Sequence, residues 1–290
     1  VNTIQSLLPE ANKRLAAAGV EGPLRDARLL LECAAGIGIA QQIGDPGRQL
    51  SDAEAASFRA LVERRAQREP MAQILGRREF WSLRFKVTGD TLDPRPDSET
   101  LVQAVLDRVG DRAAPLRILD FGTGTGCLLL SLLHELPNAS GLGVEASPPT
   151  YEVALENTRA LGLDRRAAMR IGDWEAGIDD VFDIIVSNPP YIPRGDLPAL
   201  QPEVLRYEPH LALDGGPDGL DAYRRLLPAT ARLLREGGLA AFEIGIGQAD
   251  SVAALGVAAG LRHIGTLADL GSVPRVVLWE KAQAHQRIDR

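Results

Sequence analysis

Ser187-Asn188-Pro189-Pro190-Tyr191 is the stretch of this sequence whose residue types are best suited to chemistry. Proline has no N–H, so the Pro189-Pro190 pair withholds two backbone donors and stiffens the loop. The Asn188 side-chain oxygen and the Pro189 carbonyl then stand as two fixed acceptors. A primary amide or an aromatic amine has two N–H groups to satisfy, and binding both fixes the direction of its nitrogen. Tyr191 is placed to pack against the planar group that carries that nitrogen. The competing reading is a proline-rich turn with no ligand.

A second candidate stretch decides between these readings. Leu119-Asp120-Phe121-Gly122-Thr123-Gly124-Thr125-Gly126 reads as a strand, a glycine turn and the start of a helix. Glycine lets the chain turn sharply and lets a ligand approach the backbone. A dinucleotide fingerprint needs glycine or alanine at position 127, which is Cys127, and a phosphate loop needs a Lys-Ser/Thr pair that is absent. The GxGxG pattern suits a ligand without a pyrophosphate, such as S-adenosylmethionine, against the alternative of an empty strand–helix turn. Glu145 ends the next strand about twenty residues on, where a carboxylate can accept from both hydroxyls of a ribose. Gly172-Asp173-Trp174 follows a third strand; Asp173 can accept from an adenine amino group and Trp174 can lie against the ring. Taken singly, Glu145 reads as a surface acid and Trp174 as a core residue. Their alignment at successive strand ends favours the ligand, and so favours a working Asn-Pro-Pro-Tyr loop.

Methyl transfer from a sulfonium is an in-line displacement at carbon with the leaving group already activated. It calls for no metal and no covalent nucleophile; its main demands are orientation and short reach. A carboxamide nitrogen is a poor nucleophile because its lone pair is delocalised. Acceptors on both N–H bonds help restore that electron density, and the proton leaves late to water.

The elements that position these residues follow from periodicity. From about residue 115 the pattern alternates strand, loop and helix, with strands expected at Leu116–Phe121, Ser140–Val144, Ala168–Ile171, Phe182–Ser187 and Leu239–Ile244. Helices are expected at Cys127–Leu136, Pro149–Leu161, Asp221–Arg235 and Ala249–Ala259, with a closing antiparallel pair at Arg262–Ala268 and Val273–Glu280. Such alternation implies an α/β fold with a mostly parallel sheet covered on both faces, its last strand antiparallel. Ligands in such sheets bind beyond the carboxyl ends of the strands.

Residues 1–70 read as a small helical bundle. Ile4, Leu7, Leu8, Ala11 and Leu15 fall at helical spacing, and Leu24, Ala27, Leu30 and Leu31 make a stripe after Pro23, which suits a first helical turn. Ser51 with Glu54 forms a capping-box pattern ahead of Ala56, Phe58 and Leu61. Residues 71–100 read as a hairpin and connector, 101–284 as the catalytic domain, and 285–290 as a tail, with fraying expected from Ala282.

Bulk properties exclude several classes. No apolar run reaches the roughly 18 residues of a membrane span. The N-terminus, which begins at Val1 without an initiator methionine, lacks an apolar signal core with a cleavage site, so a cytoplasmic location is expected. Cys33 and Cys127 have neither disulfide nor metal spacing and are expected to be small buried hydrophobes. A net charge of −7 argues against a general nucleic-acid binder, which needs a basic footprint.

These residues resemble the release-factor glutamine N5-methyltransferases, a branch of the class I methyltransferases with a Rossmann-like sheet. The resemblance runs over nearly the whole chain. It includes Ile74–Phe80, Pro94-Arg95-Pro96-Asp97-Ser98-Glu99, Asp120–Gly126, Gly172-Asp173-Trp174 and Asn188–Tyr191. Further on come Tyr207-Glu208-Pro209, Leu213–Leu220, Phe242-Glu243-Ile244-Gly245 with Gly247-Gln248, and Asp269-Leu270 with Arg275. It implies a helical N-terminal domain that docks a release factor, S-adenosylmethionine as methyl donor with S-adenosylhomocysteine as product, and the glutamine of a Gly-Gly-Gln loop as acceptor. It implies cofactor contacts from Gly122, Thr123, Gly124, Thr125, Gly126, Glu145, Asp173, Trp174 and Asn188, and a glutamine held by Asn188, Pro189, Pro190 and Tyr191. The implied protein is a monomer that binds neither nucleic acid nor membrane.

Two positions depart from the family pattern. Glu145 stands where the family usually has Asp, and the extra methylene must shift the ribose or the backbone. Asp93 stands where the family usually has an aliphatic residue; a buried unpaired carboxylate is costly, so Asp93 is expected to be exposed or paired. Three other functions compete. A ribosomal-protein glutamine methyltransferase is disfavoured by Pro94–Glu99. A nucleic-acid amino-methyltransferase needs a DNA-reading domain or basic groove, which residues 1–70 do not resemble. A non-catalytic module would be expected to lose Asn188 or the glycines, and all are present.

Overall fold

The computed structural model describes residues 2–283. The tail expected at 285–290 lies outside the described residues. The chain forms two compact units. One runs to Arg77 and also includes Gln201–Tyr207; the other takes Arg78–Leu200 and resumes at Glu208.

The first unit contains helices α1 (Ile4–Ala17), α2 (Pro23–Ala35), α3 (Ile39–Gly44), α4 (Asp52–Ala66) and α5 (Met71–Leu75). Pro23 occupies the first turn of α2, where its missing N–H costs nothing. Ser51 caps α4 and exchanges hydrogen bonds with Glu54, so the capping box is formed. Ile4, Leu7, Leu8, Ala11, Leu15, Ala27, Leu30, Leu31 and Phe58 are buried in one core. Leu24 is exposed, and on α4 Ala55 and Val62 are buried in place of Ala56 and Leu61. Cys33 is exposed and Cys127 half-buried, which corrects the expectation that both are buried; Cys33 lies off the Leu30-Leu31 stripe of α2.

Gln201–Tyr207 joins this unit through charge. Arg65, itself bonded to buried Asp26 at 2.8 Å, donates to Glu203 Oε1 at 3.1 Å, and Arg68 Nη2 donates to Glu203 Oε2 at 2.6 Å. Tyr207 Oη also donates to the Gln67 carbonyl at 2.9 Å.

The second unit is built on a seven-stranded sheet. A hairpin, β1 (Arg77–Phe80) and β2 (Leu83–Lys86), leads into it, turning through Trp81 and Ser82, both with positive φ. The sheet strands are β3 (Arg117–Phe121), β4 (Ser140–Glu145), β5 (Ala167–Ile171), β6 (Phe182–Ser187), β7 (Leu234–Glu243), β8 (Arg262–Ala268) and β9 (Pro274–Glu280). Their order is β5-β4-β3-β6-β7-β9-β8; β3 to β7 pair in parallel, and β9 is antiparallel to both neighbours. The remaining α-helices are α6 (Glu99–Leu106), α7 (Cys127–Glu135), α8 (Pro148–Ala160), α10 (Asp221–Leu233) and α11 (Ala249–Ala258) of this unit, and α9 (Pro202–Tyr207), which belongs to the first unit.

Both faces of the sheet are apolar, which is why its strands read as continuous hydrophobic runs. On β9, Val276 and Leu278 face one core with Leu101, Leu129 and Leu133 of α6 and α7. Val277 and Trp279 face the other with Tyr223, Leu226 and Val252 of α10 and α11. Most expected boundaries fall within one residue of those observed; the junction of α10 and β7 departs further, as α10 stops at Leu233 and β7 begins at Leu234 rather than Leu239. Leu234 turns extended, is buried, and pairs with Phe182 before a register shift, so tertiary pairing overrides the helical pattern. Among the described residues no helix is long and apolar enough to cross a membrane.

Candidate active site

The parallel strands β3, β4, β5 and β6 release their carboxyl ends on one side, and a cavity of about 220 Å³ lies there. Its wall includes Gly122, Thr123, Gly124 and Thr125 after β3, Glu145 at the end of β4, Asp173 and Trp174 after β5, and Asn188 and Pro190 after β6. Four candidate segments far apart in sequence thus meet at one cavity. Gly126, Pro189 and Tyr191 do not line it. Gly126 is buried at the start of α7, and Pro189 is buried behind the loop. Tyr191 is turned away: its hydroxyl donates to Glu243 Oε1 at 3.4 Å, and its carbonyl accepts from Gln248 Nε2 at 2.9 Å.

The glycine loop is shaped by hydrogen bonds from below. Thr123 N donates to the Val144 carbonyl at 2.9 Å, and Thr123 Oγ1 donates to Asp120 Oδ2 at 2.7 Å. Gly122 has φ +65°, and a Cβ there would sit 3.1 Å from the Trp174 ring, so the tryptophan lies against the bare backbone. Trp174 itself adopts a φ of 55°.

Glu145 is held at both oxygens. Oε2 accepts from Gly124 N at 3.0 Å and Oε1 from Ser147 N at 2.9 Å. The longer side chain thus reaches across to the glycine loop, and each oxygen keeps acceptor capacity toward the cavity. Asp173 Oδ1 accepts from Arg225 Nη1 at 3.0 Å on the exposed side. Asn188 donates from Nδ2 to Ser98 Oγ at 3.4 Å.

Residues that sequence reasoning gave no site role also line the wall, among them Asp90, Leu92, Asp93, Pro94, Arg95 and Ser98 from the connector, Ala146, Ser147 and Thr150 after β4, and Pro209, Leu211 and Ala212. The Pro94–Glu99 motif was the available signal for the connector. Asp93 is buried and paired, with Arg78 at 3.7 Å and Arg95 at 3.9 Å, as the paired alternative required. Arg95 Nη2 donates to both oxygens of Glu208, at 2.6 and 2.8 Å. Burial raises the pKa of both Asp93 and Glu208 against the pull of Arg95. The cavity thus carries the carboxylates Asp90, Asp93, Glu145 and Asp173 against Arg95.

Asp120 sits directly beneath the loop. Burial pushes its carboxyl up to about 7, with the Thr123 hydroxyl opposing and the Glu145 charge adding to the rise. Since the folded-state value is raised, Asp120 contributes stability that is complete below its ordinary value of 3.8 and is lost as pH rises through about 7. Asp120→Asn keeps the acceptor for Thr123 without the charge. Its melting temperature relative to the parent is expected to rise with pH across that window; a difference independent of pH contradicts this origin.

Comparison with known proteins bears on the same regions. The PrmC N-terminal domain family matches residues 6–76, and a methyltransferase domain family matches residues 113–241. A release factor glutamine methyltransferase of Caulobacter vibrioides is 47% identical over 272 residues, covering 93% of this chain and 94% of the relative. One from Rhodospirillum rubrum is 47% identical over 281 residues, covering 96% of this chain and 85% of the relative. Among solved structures, a methyltransferase from Pyrococcus furiosus superposes with a TM-score of 0.50 at 17% identity, covering 69% of this chain and 89% of that one, which is a likeness of fold.

Proposed function

Since the chain belongs to the release factor glutamine methyltransferases, we propose that its cavity binds S-adenosylmethionine and presents the glutamine of a release factor's Gly-Gly-Gln loop to it. The enzyme methylates the side-chain amide nitrogen, N5, of glutamine in release factors. The observation that carries the site assignment is that Asn188 shares one cavity wall with the glycine loop and Glu145.

The residues present fit the methyl donor. Glu145 offers a fixed carboxylate, Gly122 and Gly124 offer bare backbone, and Trp174 offers a ring face. The excess of carboxylates suits a ligand that carries a positive sulfur and an ammonium group. Bound there, S-adenosylmethionine supplies a methyl group on a sulfonium, already activated for displacement.

The chain's own part is orientation. Asn188 Oδ1, in the cavity wall, accepts from an N–H bond of the substrate amide and aims its nitrogen into the cavity. Its pull on that N–H bond raises electron density on a nitrogen that is otherwise a weak nucleophile. Pro190, in the wall, adds no N–H to compete with the substrate. Holding the two reactants together is the larger contribution, because effective molarity in a well-oriented pair replaces a bimolecular encounter. Tyr191 braces the loop from behind through Glu243 and Gln248.

Glu145 tests the cofactor assignment. Glu145→Ala removes an acceptor for the ribose hydroxyls and frees the Gly124 and Ser147 N–H groups, and is expected to cost roughly 1–3 kcal/mol of S-adenosylhomocysteine affinity. Glu145→Asp should retain or improve binding. Isothermal titration calorimetry reads both; parent-like affinity in Glu145→Ala removes the residue from the site.

A further inference from the structure

Two turns that the reaction as described does not use stand at the same end of the sheet as the cavity. Glu243, the last residue of β7, pairs with Val276 of β9, and Val276 pairs with Leu267 of β8. Ser187 of β6 pairs with Phe242, so Asn188 shares the level of Glu243 and Leu267. Ile246 and Leu270 each follow three residues beyond that level, in the turns after β7 and β8. Leu270 is fully exposed, Ile246 is 79% exposed and Leu211 of the cavity wall is 69% exposed; they are the three most exposed large apolar side chains among the described residues.

Single exposed leucines are ordinary on a protein surface. These two turns differ because each is fixed from beneath and tied to the site. Asp269 Oδ1 accepts from Gly271 N at 2.8 Å and Val273 N at 3.1 Å, and Oδ2 accepts from Arg275 Nη2 at 3.0 Å. Arg275 Nη2 also donates to Asp97 Oδ2 at 3.3 Å, next to Ser98 of the cavity wall. Gln248 Oε1 accepts from Gly245 N at 2.9 Å, and Nε2 donates to the carbonyls of Tyr191 at 2.9 Å and Gly219 at 3.2 Å. The Ile246 turn is thereby bonded to the Asn-Pro-Pro-Tyr loop, and the Leu270 turn to the segment before α6. Apolar side chains on turns already ordered cost little further entropy on binding.

We propose that Ile246 and Leu270 form an apolar docking rim for the release factor, covered by the surface that flanks its Gly-Gly-Gln loop. It rests on the reading that the acceptor glutamine enters the cavity at Asn188. From β6 to β8 is three strand spacings, so Leu270 lies about 14 Å across the sheet from Asn188, and Ile246 about 5 Å. A stable protein–protein contact buries about 800 Å² on each partner, a patch about 16 Å in radius. A folded protein centred on the cavity therefore covers both turns. The partner surface opposite them is apolar, and a glutamine on a short peptide does not reach it. The rim thus selects a folded acceptor, while the cavity selects the amide.

Leu270→Asp tests this in the full-length enzyme saturated with S-adenosylhomocysteine. Affinity for a purified release factor, read by calorimetry, is expected to fall at least about 10-fold, the scale of one buried leucine. Ile246→Asp in the same chain should lower it further. KM for the release factor should rise in parallel, with kcat within about 3-fold of the parent. Affinity for S-adenosylhomocysteine and the circular dichroism spectrum should match the parent. Val181→Asp places the same charge on an exposed apolar residue at the opposite, amino end of β6, and should bind release factor as the parent does. Parent-like affinity in the double variant overturns the inference, even where self-association changes, and so does an equal loss in Val181→Asp. A parent that transfers no methyl to a release factor overturns the proposed function instead; a parent that transfers it, with docking indifferent to both substitutions, leaves that function standing and removes the rim.

Discussion

Asn188→Ala is expected to slow single-turnover methyl transfer to a release factor by about 100-fold or more, the usual cost of losing one well-placed transition-state hydrogen bond. The side chain stands in the cavity wall, and under the proposed function its amide oxygen is the acceptor that orients the incoming nitrogen. Truncation removes that acceptor and opens space in which the substrate amide can rotate. The loop lies outside the sheet, and Asn188 is half-buried and bonded at 3.4 Å only to Ser98 among the described side chains, so the fold should survive. Asn188→Asp separates charge from size. It keeps an acceptor oxygen, loses the donor to Ser98, and sets a negative charge beside the substrate amide, so it should also be slow. Circular dichroism alongside the rates distinguishes unfolding from lost orientation. A folded Asn188→Ala enzyme with the parent rate removes the loop from the chemistry.

Gly124→Val is expected to abolish binding of S-adenosylhomocysteine in a calorimetric titration. Gly124 has φ +57°, a region that costs a residue with a side chain about 1–2 kcal/mol. That is a tolerable fraction of ordinary domain stability. A Cβ there would meet nothing nearer than the Gly122 carbonyl at 4.0 Å, so the protein itself leaves room for it. The space that valine would fill belongs to the cavity. A modest fall in melting temperature with no measurable binding is the expected pair of results; parent-like binding excludes this loop from the cofactor site.

Much of the site was legible because the signals are local. The Phe182–Ser187 and Arg262–Ala268 strands have the bounds that their apolar runs imply, and the glycine turn and the Pro-Pro pair mark where strands end. Ser51 with Glu54 and Pro23 likewise announce helix starts within four residues of themselves. What sequence reading missed depends on partners far along the chain. Glu203 draws Gln201–Tyr207 into the helical unit by meeting Arg65 and Arg68, more than 130 residues away, and no periodicity reports that. Asp93, by contrast, was expected to be exposed or paired, and its partners Arg78 and Arg95 lie nearby in the chain. Tyr191 reads as a substrate platform, yet its ring goes to the core because buried Glu243 lies behind the loop. Leu211 lines the cavity while exposed, and it falls in the gap between the Tyr207-Glu208-Pro209 and Leu213–Leu220 segments rather than within either.

The most direct test of the central claim is to incubate the protein with S-adenosylmethionine labelled on its methyl group and a purified release factor, then map the label by peptide mass spectrometry. One labelled methyl is expected on the glutamine of the Gly-Gly-Gln loop, and none on a release factor in which that glutamine is replaced by alanine. Label that is absent from the release factor, or that persists in the alanine variant, contradicts the assignment.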